Sequence, residues 1–130
     1  MPLCLDVIAN GSAAMYYVYI LECECDKFYV GMTSDLEHRL IAHLSNNGSV
    51  FTKKYSPISL FYVEELRTRD EAISVETYYT KLFKVKKQEL KLEEKYKNIF
   101  DDVKQFINKN GNDCWYRIKQ GELNHALFQS

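Results

Sequence analysis

The chain has 130 residues, 46% of them hydrophobic, which suits a single packed domain. Ten tyrosines and seven phenylalanines exclude an intrinsically disordered tail. The formal net charge of −1 excludes a protein that is basic overall, so any surface for a nucleic acid must be a local patch of lysine and arginine.

Neither a secretory signal nor a membrane helix is visible in the sequence. Residues 1–14 lack the basic start and the long apolar core of a signal peptide. No apolar run approaches the ~20 residues that a membrane helix needs. We therefore expect a cytoplasmic protein without a membrane partner, in which residues 1–14 form a leader and the domain begins at Met15. The four cysteines lack the paired half-sites of a zinc centre, and reduced thiols are expected.

The first structural unit is predicted to be an antiparallel hairpin. Residues 16–21 are aromatic and β-branched, as in a buried strand, and residues 27–32 have the same character. So short a connection between them favours a hairpin. Since the turn lacks a glycine, Cys25 and Asp26 must make the bend. Gly31 interrupts a bulky strand and indicates a close backbone approach or a bulge.

A first helix is predicted after the hairpin. Ser34 as N-cap and Glu37 three residues later fit a capping box. Leucines at every fourth position from Leu36 form its buried stripe, and it should end near residues 46–48. Residues 49–57 are predicted to form a polar loop.

A third strand is predicted at residues 58–64. Thr68 and Glu71 repeat the capping-box pattern and open a second helix that runs to about Phe83. The order of elements predicts an α+β domain at residues 15–97, with a three-stranded antiparallel sheet flanked by helices. Residues 98–130 are expected to form an additional helical segment that packs on this domain.

A further amphipathic stretch follows Val85. Its apolar residues recur every three or four positions, which approximates a heptad seam. Such a seam could form a homodimer. Packing on its own domain is the favoured interpretation, because most helical stability comes from intramolecular packing. The apolar positions are Leu92, Tyr96, Ile99, Val103 and Phe106.

Three polar side chains stand at or near predicted apolar faces. Arg39 and His43 are four residues apart and project from one side of the first helix, flanking its leucine stripe. They lie either at the edge of a cleft or as a solvated pair. Glu76 falls within the apolar arc of the second helix, where a carboxylate is costly unless it is paired or binds a cation. A Glu76 that reaches out to water is the alternative.

Two tyrosines are placed to share one face of the hairpin. Alternate residues of a strand point to the same side. If the hairpin pairs in register, Tyr19 and Tyr29 become cross-strand neighbours. A phenol can relay a proton or hold a water molecule, although core packing explains most strand tyrosines.

These features together resemble the GIY-YIG nucleases, in particular their small stand-alone members. The resemblance rests on Tyr17-Val18-Tyr19, then Tyr29-Val30-Gly31, then Arg39 with His43, then Glu76. It extends from Tyr16 to about Leu90. Tyr17 departs from the first glycine of the family pattern, and Met32 stands where the related excinuclease subunit has a lysine.

The resemblance implies a metal-dependent endonuclease that hydrolyses phosphodiester bonds. Tyr29, with Tyr19 beside it, would position or deprotonate the attacking water. His43 would act as base or proton relay with a pKa near that of free histidine. Arg39 would clamp the phosphate, and Glu76 would hold one Mg²⁺ or Mn²⁺ ion.

The expected partner is a nucleic acid, with DNA favoured over RNA, in repair or recombination. Sequence specificity should be low, because a single small domain lacks a separate recognition module. A catalytically inactive nucleic-acid-binding or protein-interaction module on the same fold is the alternative. The residues expected to contact nucleic acid are Thr33, Lys53, Lys54 and Tyr55.

Overall fold

The computed structural model describes residues 15–85 and 89–111. An antiparallel sheet in the order β2-β1-β3 forms its centre, and four helices accompany it. The predicted α+β class with a three-stranded antiparallel sheet is thereby confirmed. The strands are β1 (Tyr16–Cys23), β2 (Lys27–Thr33) and β3 (Pro57–Leu66), and the helices are α1 (Leu36–Leu44), α2 (Val50–Lys54), α3 (Arg69–Val85) and α4 (Ile99–Asn110).

The hairpin turn is made by the residues expected to make it. β1 pairs with β2 from Tyr17 opposite Thr33 to Cys23 opposite Lys27. Cys25 and Asp26 between the strands have φ angles of 62° and 57°, in the left-handed region. Two such residues in succession reverse the chain without a glycine, at a cost in backbone energy that the flanking strand pairs offset.

The sheet separates two packed layers. On its front face, Tyr19 and Leu21 of β1 join the core that α1 and α4 cover, and α1 packs against α4. On its back face, α3 packs against β2 and β1. The ring of Phe83 on α3 contacts Phe28 and Phe61 there. Because β1 is central, its middle residues are fully buried on both faces, as the continuous apolar run predicted.

The start of α1 differs from the prediction. Its N-cap is Asp35, whose carboxylate accepts a hydrogen bond from the His38 N–H at 3.0 Å. Ser34 as N-cap is therefore wrong. The Asp35 N–H donates a hydrogen bond to the Thr33 hydroxyl at 3.0 Å, and this bond holds Ser34 outside the helix. At α3, by contrast, the predicted capping box of Thr68 is present, with the Glu71 N–H donating to its hydroxyl at 3.1 Å.

Residues 49–57 are not the plain loop that was predicted. They contain the short helix α2, which begins after Ser49. Ser49 and Thr52 form a reciprocal capping box. Five residues are too few to show a helical period, so only the serine–threonine spacing could have indicated this turn.

The amphipathic stretch after Val85 is also not one helix. Val85 belongs to α3, a short 3-10 turn spans Glu94–Tyr96, and α4 begins only at Ile99. The apolar face of α4 is buried within the chain's own core through Ile99, Phe100, Val103 and Ile107.

The connection before α4 is tied to β3 by charged and polar contacts. The Lys95 ammonium lies 2.5 Å from a Glu65 oxygen, and the Tyr96 hydroxyl donates to the same carboxylate. The expected leader (1–14) and the tail beyond residue 111 lie outside the described residues. Among the described helices none is long and apolar enough to cross a membrane.

If α4 packs on its own domain, truncating its fully buried Val103 should lower the stability of the monomer. We expect Val103→Ala to lower the free energy of unfolding by about 2 kcal/mol, from two lost methyl groups and the cavity they leave. Urea denaturation at several protein concentrations measures this, with the exposed Lys104→Ala as control. A transition midpoint that rises with protein concentration would instead indicate that this face is a dimer seam.

Candidate active site

The hydroxyl group of Tyr19 is the meeting point of the site. It accepts a hydrogen bond from Arg39 Nε at 3.3 Å and lies 2.7 Å from His43 Nε2. Tyr19 projects from the front face of β1, while Arg39 and His43 lie one turn apart on α1. Tyr19 is 0% exposed and His43 2% exposed. The alternative of a solvated pair is therefore wrong for His43.

Gly31 makes room for this arrangement. Tyr19 lies opposite Gly31 in the hairpin, whereas Tyr29 lies opposite Leu21. The two tyrosines are therefore diagonal neighbours across Gly31, with ring centroids 6.1 Å apart. A Cβ atom at residue 31 would lie 2.6 Å from the Tyr19 hydroxyl and 2.8 Å from the Tyr29 ring. The close approach predicted at this glycine is confirmed.

The second imidazole nitrogen of His43 contacts a residue that sequence reasoning missed. His43 Nδ1 lies 2.9 Å from Thr52 Oγ1, and Thr52 is 2% exposed. Gly48 packs against the same ring so closely that a Cβ atom there would overlap Nδ1. The S-x-x-T spacing from Ser49 to Thr52 was the one available signal, and it indicates a cap rather than a site.

Burial determines the protonation of this cluster. Desolvation, together with the charge of Arg39, lowers the pKa of His43 to about 3. The expected pKa near that of free histidine is therefore wrong, and the imidazole is neutral at neutral pH. Burial and the neighbouring Tyr29 phenol raise the pKa of Tyr19, an effect that Arg39 only partly offsets. Both groups are neutral, internal members of the cluster.

The outer part of the cluster is formed by Arg39 and Tyr29, which are both half-buried. The Tyr29 ring packs edge-on against His43, with centroids 5.0 Å apart, and beside Phe51 at 5.9 Å. A cleft of about 750 Å³ opens at the exposed edge of β2, and Tyr29, Phe51 and Thr80 line it among others. Tyr29 is the member of the cluster that lines this cleft.

Glu76 lies on α3, which covers the back face of the sheet. Thr80, one turn later on the same side of the helix, lines the cleft at the β2 edge. Phe83 contacts Phe28 near the start of β2, with centroids 5.2 Å apart. Glu76 lies seven residues before Phe83, ~10 Å along the helix axis, and the described contacts do not join it to Tyr19, Arg39 or His43.

The carboxylate of Glu76 has the environment of a candidate metal ligand. It is half-buried and makes no hydrogen bond or ion pair within residues 15–85 and 89–111. The described residues also contain no group of three or more histidine, cysteine or acidic side chains that could hold an ion. One carboxylate with several waters and a substrate phosphate is a donor set that suits Mg²⁺. Glu76 therefore fits a cation that is otherwise held by water and substrate.

The residues predicted to contact nucleic acid fall into two groups. Lys53 and Lys54 are exposed at the end of α2, and the Lys54 ammonium lies 5.4 Å from the Tyr55 ring centroid. The Lys27 ammonium lies 5.5 Å from the centroid of the same ring. Thr33 is different, because its hydroxyl is engaged with both backbone groups of Asp35.

Comparison with known proteins identifies a similar domain. The GIY-YIG catalytic domain matches residues 15–89. The chain is 31% identical over 83 residues to UPF0213 protein spr1390 of Streptococcus pneumoniae, covering 64% of this chain and 84% of that protein. It is 36% identical over 80 residues to UPF0213 protein YazA of Bacillus subtilis, covering 62% and 80%. No solved structure matches.

The buried neutral state of His43 predicts a pH dependence of stability. Between pH ~6.5 and about 3 the unfolded chain protonates this imidazole and the folded chain does not. The free energy of unfolding should therefore decrease as the pH is lowered through this window, by at most about 1.4 kcal/mol per pH unit from this group. His43→Gln should remove that contribution, measured as the difference between the urea-unfolding pH profiles of the two proteins. His38→Gln is the control. If the unfolding free energies of wild type and His43→Gln change in parallel with pH, the pKa of His43 is not lowered.

Proposed function

Since the chain belongs to the GIY-YIG family of nucleases, we propose that it is an endonuclease that uses one divalent cation to hydrolyse phosphodiester bonds. Its substrate is a nucleic acid, with DNA favoured and sequence specificity low. The observation that carries this proposal is the convergence of Arg39 and His43 on the buried hydroxyl of Tyr19, beside an open cleft.

In this proposal the cluster has an inner and an outer part with different tasks. Tyr19 and His43 are buried and hold geometry rather than touch the substrate. Arg39 uses Nε to donate to Tyr19 and also hydrogen-bonds Tyr29, and its remaining N–H groups bind the phosphate oxygens. A fixed guanidinium there stabilises the charge that builds on the phosphate in the transition state. Tyr29 borders the cleft, and its hydroxyl orients the water that attacks phosphorus.

Glu76 would hold the cation, Mg²⁺ or Mn²⁺. When bound, the ion supplies Lewis-acid stabilisation of the leaving oxygen. The lysines near Tyr55 bind backbone phosphates beyond the cleaved bond, as point charges without sequence preference. With a net charge of −1, this local patch must supply most of the affinity.

The metal assignment is tested by removing one charge. We expect Glu76→Gln to lower cleavage by roughly 10²-fold or more, the scale of one lost electrostatic contact to the transition state. Unfolding stability should be unchanged or slightly higher, because a half-buried carboxylate without a partner is removed. The assay uses branched, single-stranded and duplex DNA and RNA with Mg²⁺, Mn²⁺ or a chelator. Asp70→Asn, exposed on the same helix, is the control.

If Glu76→Gln cleaves at the wild-type rate, the assignment of Glu76 as the metal ligand is wrong. If the wild type cuts none of these substrates with either metal, the inactive nucleic-acid-binding module becomes the better explanation of the fold.

Substitutions of Arg39 and of the two lysines should have different effects on cleavage rate and on DNA affinity. We expect Arg39→Ala to lower kcat on the order of 10²–10³-fold while affinity for DNA changes little. Lys53→Ala with Lys54→Ala should do the reverse, lowering affinity uniformly across sequences and reducing the salt slope by about two. Single-turnover cleavage and binding titrations at several salt concentrations measure both. Equal losses of rate and affinity in Arg39→Ala would make Arg39 a docking residue.

A further inference from the structure

We propose that Thr52 is a positioning residue for the cleavage reaction, because its hydroxyl selects the tautomer of His43 and thereby fixes Tyr19 and Arg39. This inference rests on the proposed function for its effect on rate, but its structural half can be tested without it. Thr52 touches neither the cleft nor the phosphate that Arg39 would bind, so it acts only through His43.

The hydrogen bond from Arg39 does not by itself decide the tautomer of His43. Arg39 Nε–H can only donate, so the Tyr19 oxygen accepts it. The Tyr19 hydroxyl proton is then available either to Tyr29, with which Tyr19 also shares a hydrogen bond, or to His43 Nε2, 2.7 Å away. Only in the second arrangement is Nε2 an acceptor, with the proton of the neutral ring on Nδ1.

Thr52 completes the chain at the other nitrogen. His43 Nδ1–H donates to Thr52 Oγ1 at 2.9 Å, and the Thr52 hydroxyl donates in turn to the Ser49 carbonyl oxygen at 3.2 Å. The Ser49 N–H also donates to Thr52 Oγ1, at 3.1 Å. The Ser49 hydroxyl lies 3.2 Å from the same oxygen and accepts the Thr52 N–H. Because the Thr52 hydroxyl proton is directed at the Ser49 carbonyl, its oxygen faces the imidazole as an acceptor. The tautomer with its proton on Nδ1 therefore gives both ring nitrogens a partner.

The surroundings leave this ring few other orientations. Gly48 packs on His43 so closely that even a methyl group would displace it. A cavity of about 370 Å³ lies beside His43 and is also lined by Thr52 and Ser45. Without the threonine hydroxyl, water from this cavity could meet Nδ1 as donor or as acceptor. The tautomer would then no longer be selected.

A change in the tautomer of His43 would also change how Arg39 is positioned. In the other tautomer His43 Nε2–H donates to the Tyr19 oxygen and competes there with Arg39 Nε–H. The Tyr19 hydroxyl proton must then rotate away, and the guanidinium loses its fixed partner. A misplacement of about 1 Å in a group that stabilises the transition state can cost on the order of 10²-fold in rate. Substrate binding, which depends mainly on the lysines, should change little.

The test compares three substitutions in the full-length chain. Thr52→Val removes the hydroxyl and keeps the shape, and Thr52→Ser restores a hydroxyl. Ser49→Ala is the matched control, because it breaks the same capping box but leaves the bond from His43 to Thr52 in place. Each protein is assayed for kcat, DNA affinity and Tm. Nitrogen-15 NMR of the imidazole identifies the tautomer.

The expected results separate positioning from simple stability. Wild type, Thr52→Ser and Ser49→Ala should show the proton on Nδ1, and Thr52→Val should show the Nε2 proton or a mixture. Thr52→Val should lose about 10–100-fold in kcat, the range for residues that orient a first contact, with affinity nearly unchanged. Ser49→Ala should lose Tm but little kcat.

Two outcomes would overturn the inference. One is a wild-type His43 with its proton on Nε2, and the other is a Thr52→Val protein with the wild-type tautomer or the wild-type kcat. If Thr52→Val does not fold, Thr52→Ala removes the same hydroxyl with a smaller side chain and decides whether the tautomer follows it. If the wild type cleaves nothing, the proposed function fails, and the NMR result still decides whether Thr52 positions His43.

Discussion

A phenol oxygen buried at the centre of the domain is the constraint on which the rest of the site depends. Tyr19 has no exposed surface, and a buried hydroxyl without partners costs folding free energy. Its partners must come from a neighbouring element, and α1 supplies them from two positions one turn apart. Gly31 is required on the adjacent strand, because any side chain there would occupy the volume of the phenol. One oxygen therefore links the hairpin to the helix.

The same burial divides the candidate site by depth. His43 and Tyr19 are held neutral, so they form a rigid inner support rather than a pair that titrates near pH 7. Arg39 and Tyr29 are only half-buried and border the open side. In the proposed function the polar contacts inside fix the groups outside before substrate arrives, and such preorganisation is where electrostatic catalysis gains most. Glu76 lies on α3, which covers the opposite face of the sheet.

Local signals in the sequence predicted local structure, and tertiary contacts explain most of the errors. The hairpin, its glycine-free turn and the capping box at Thr68 were all visible in the residues themselves. Ser34 and Asp35 are both good caps, and the choice was made by the hydrogen bond from Asp35 to Thr33. The depth of His43 could not be read from helical spacing, since it depends on a loop that folds over the ring. Thr52 carries no catalytic signature and gains its contact only through that fold.

The candidate site also depends on chain beyond the matched domain. The family match ends at residue 89, yet α4, which begins at Ile99, packs on the helix that carries Arg39 and His43. Glu65 on β3 anchors the approach to α4 through Lys95 and Tyr96. α1 has only nine residues, too few to be stable without tertiary packing. α4 therefore helps to hold both site residues of α1 against Tyr19 by packing alone.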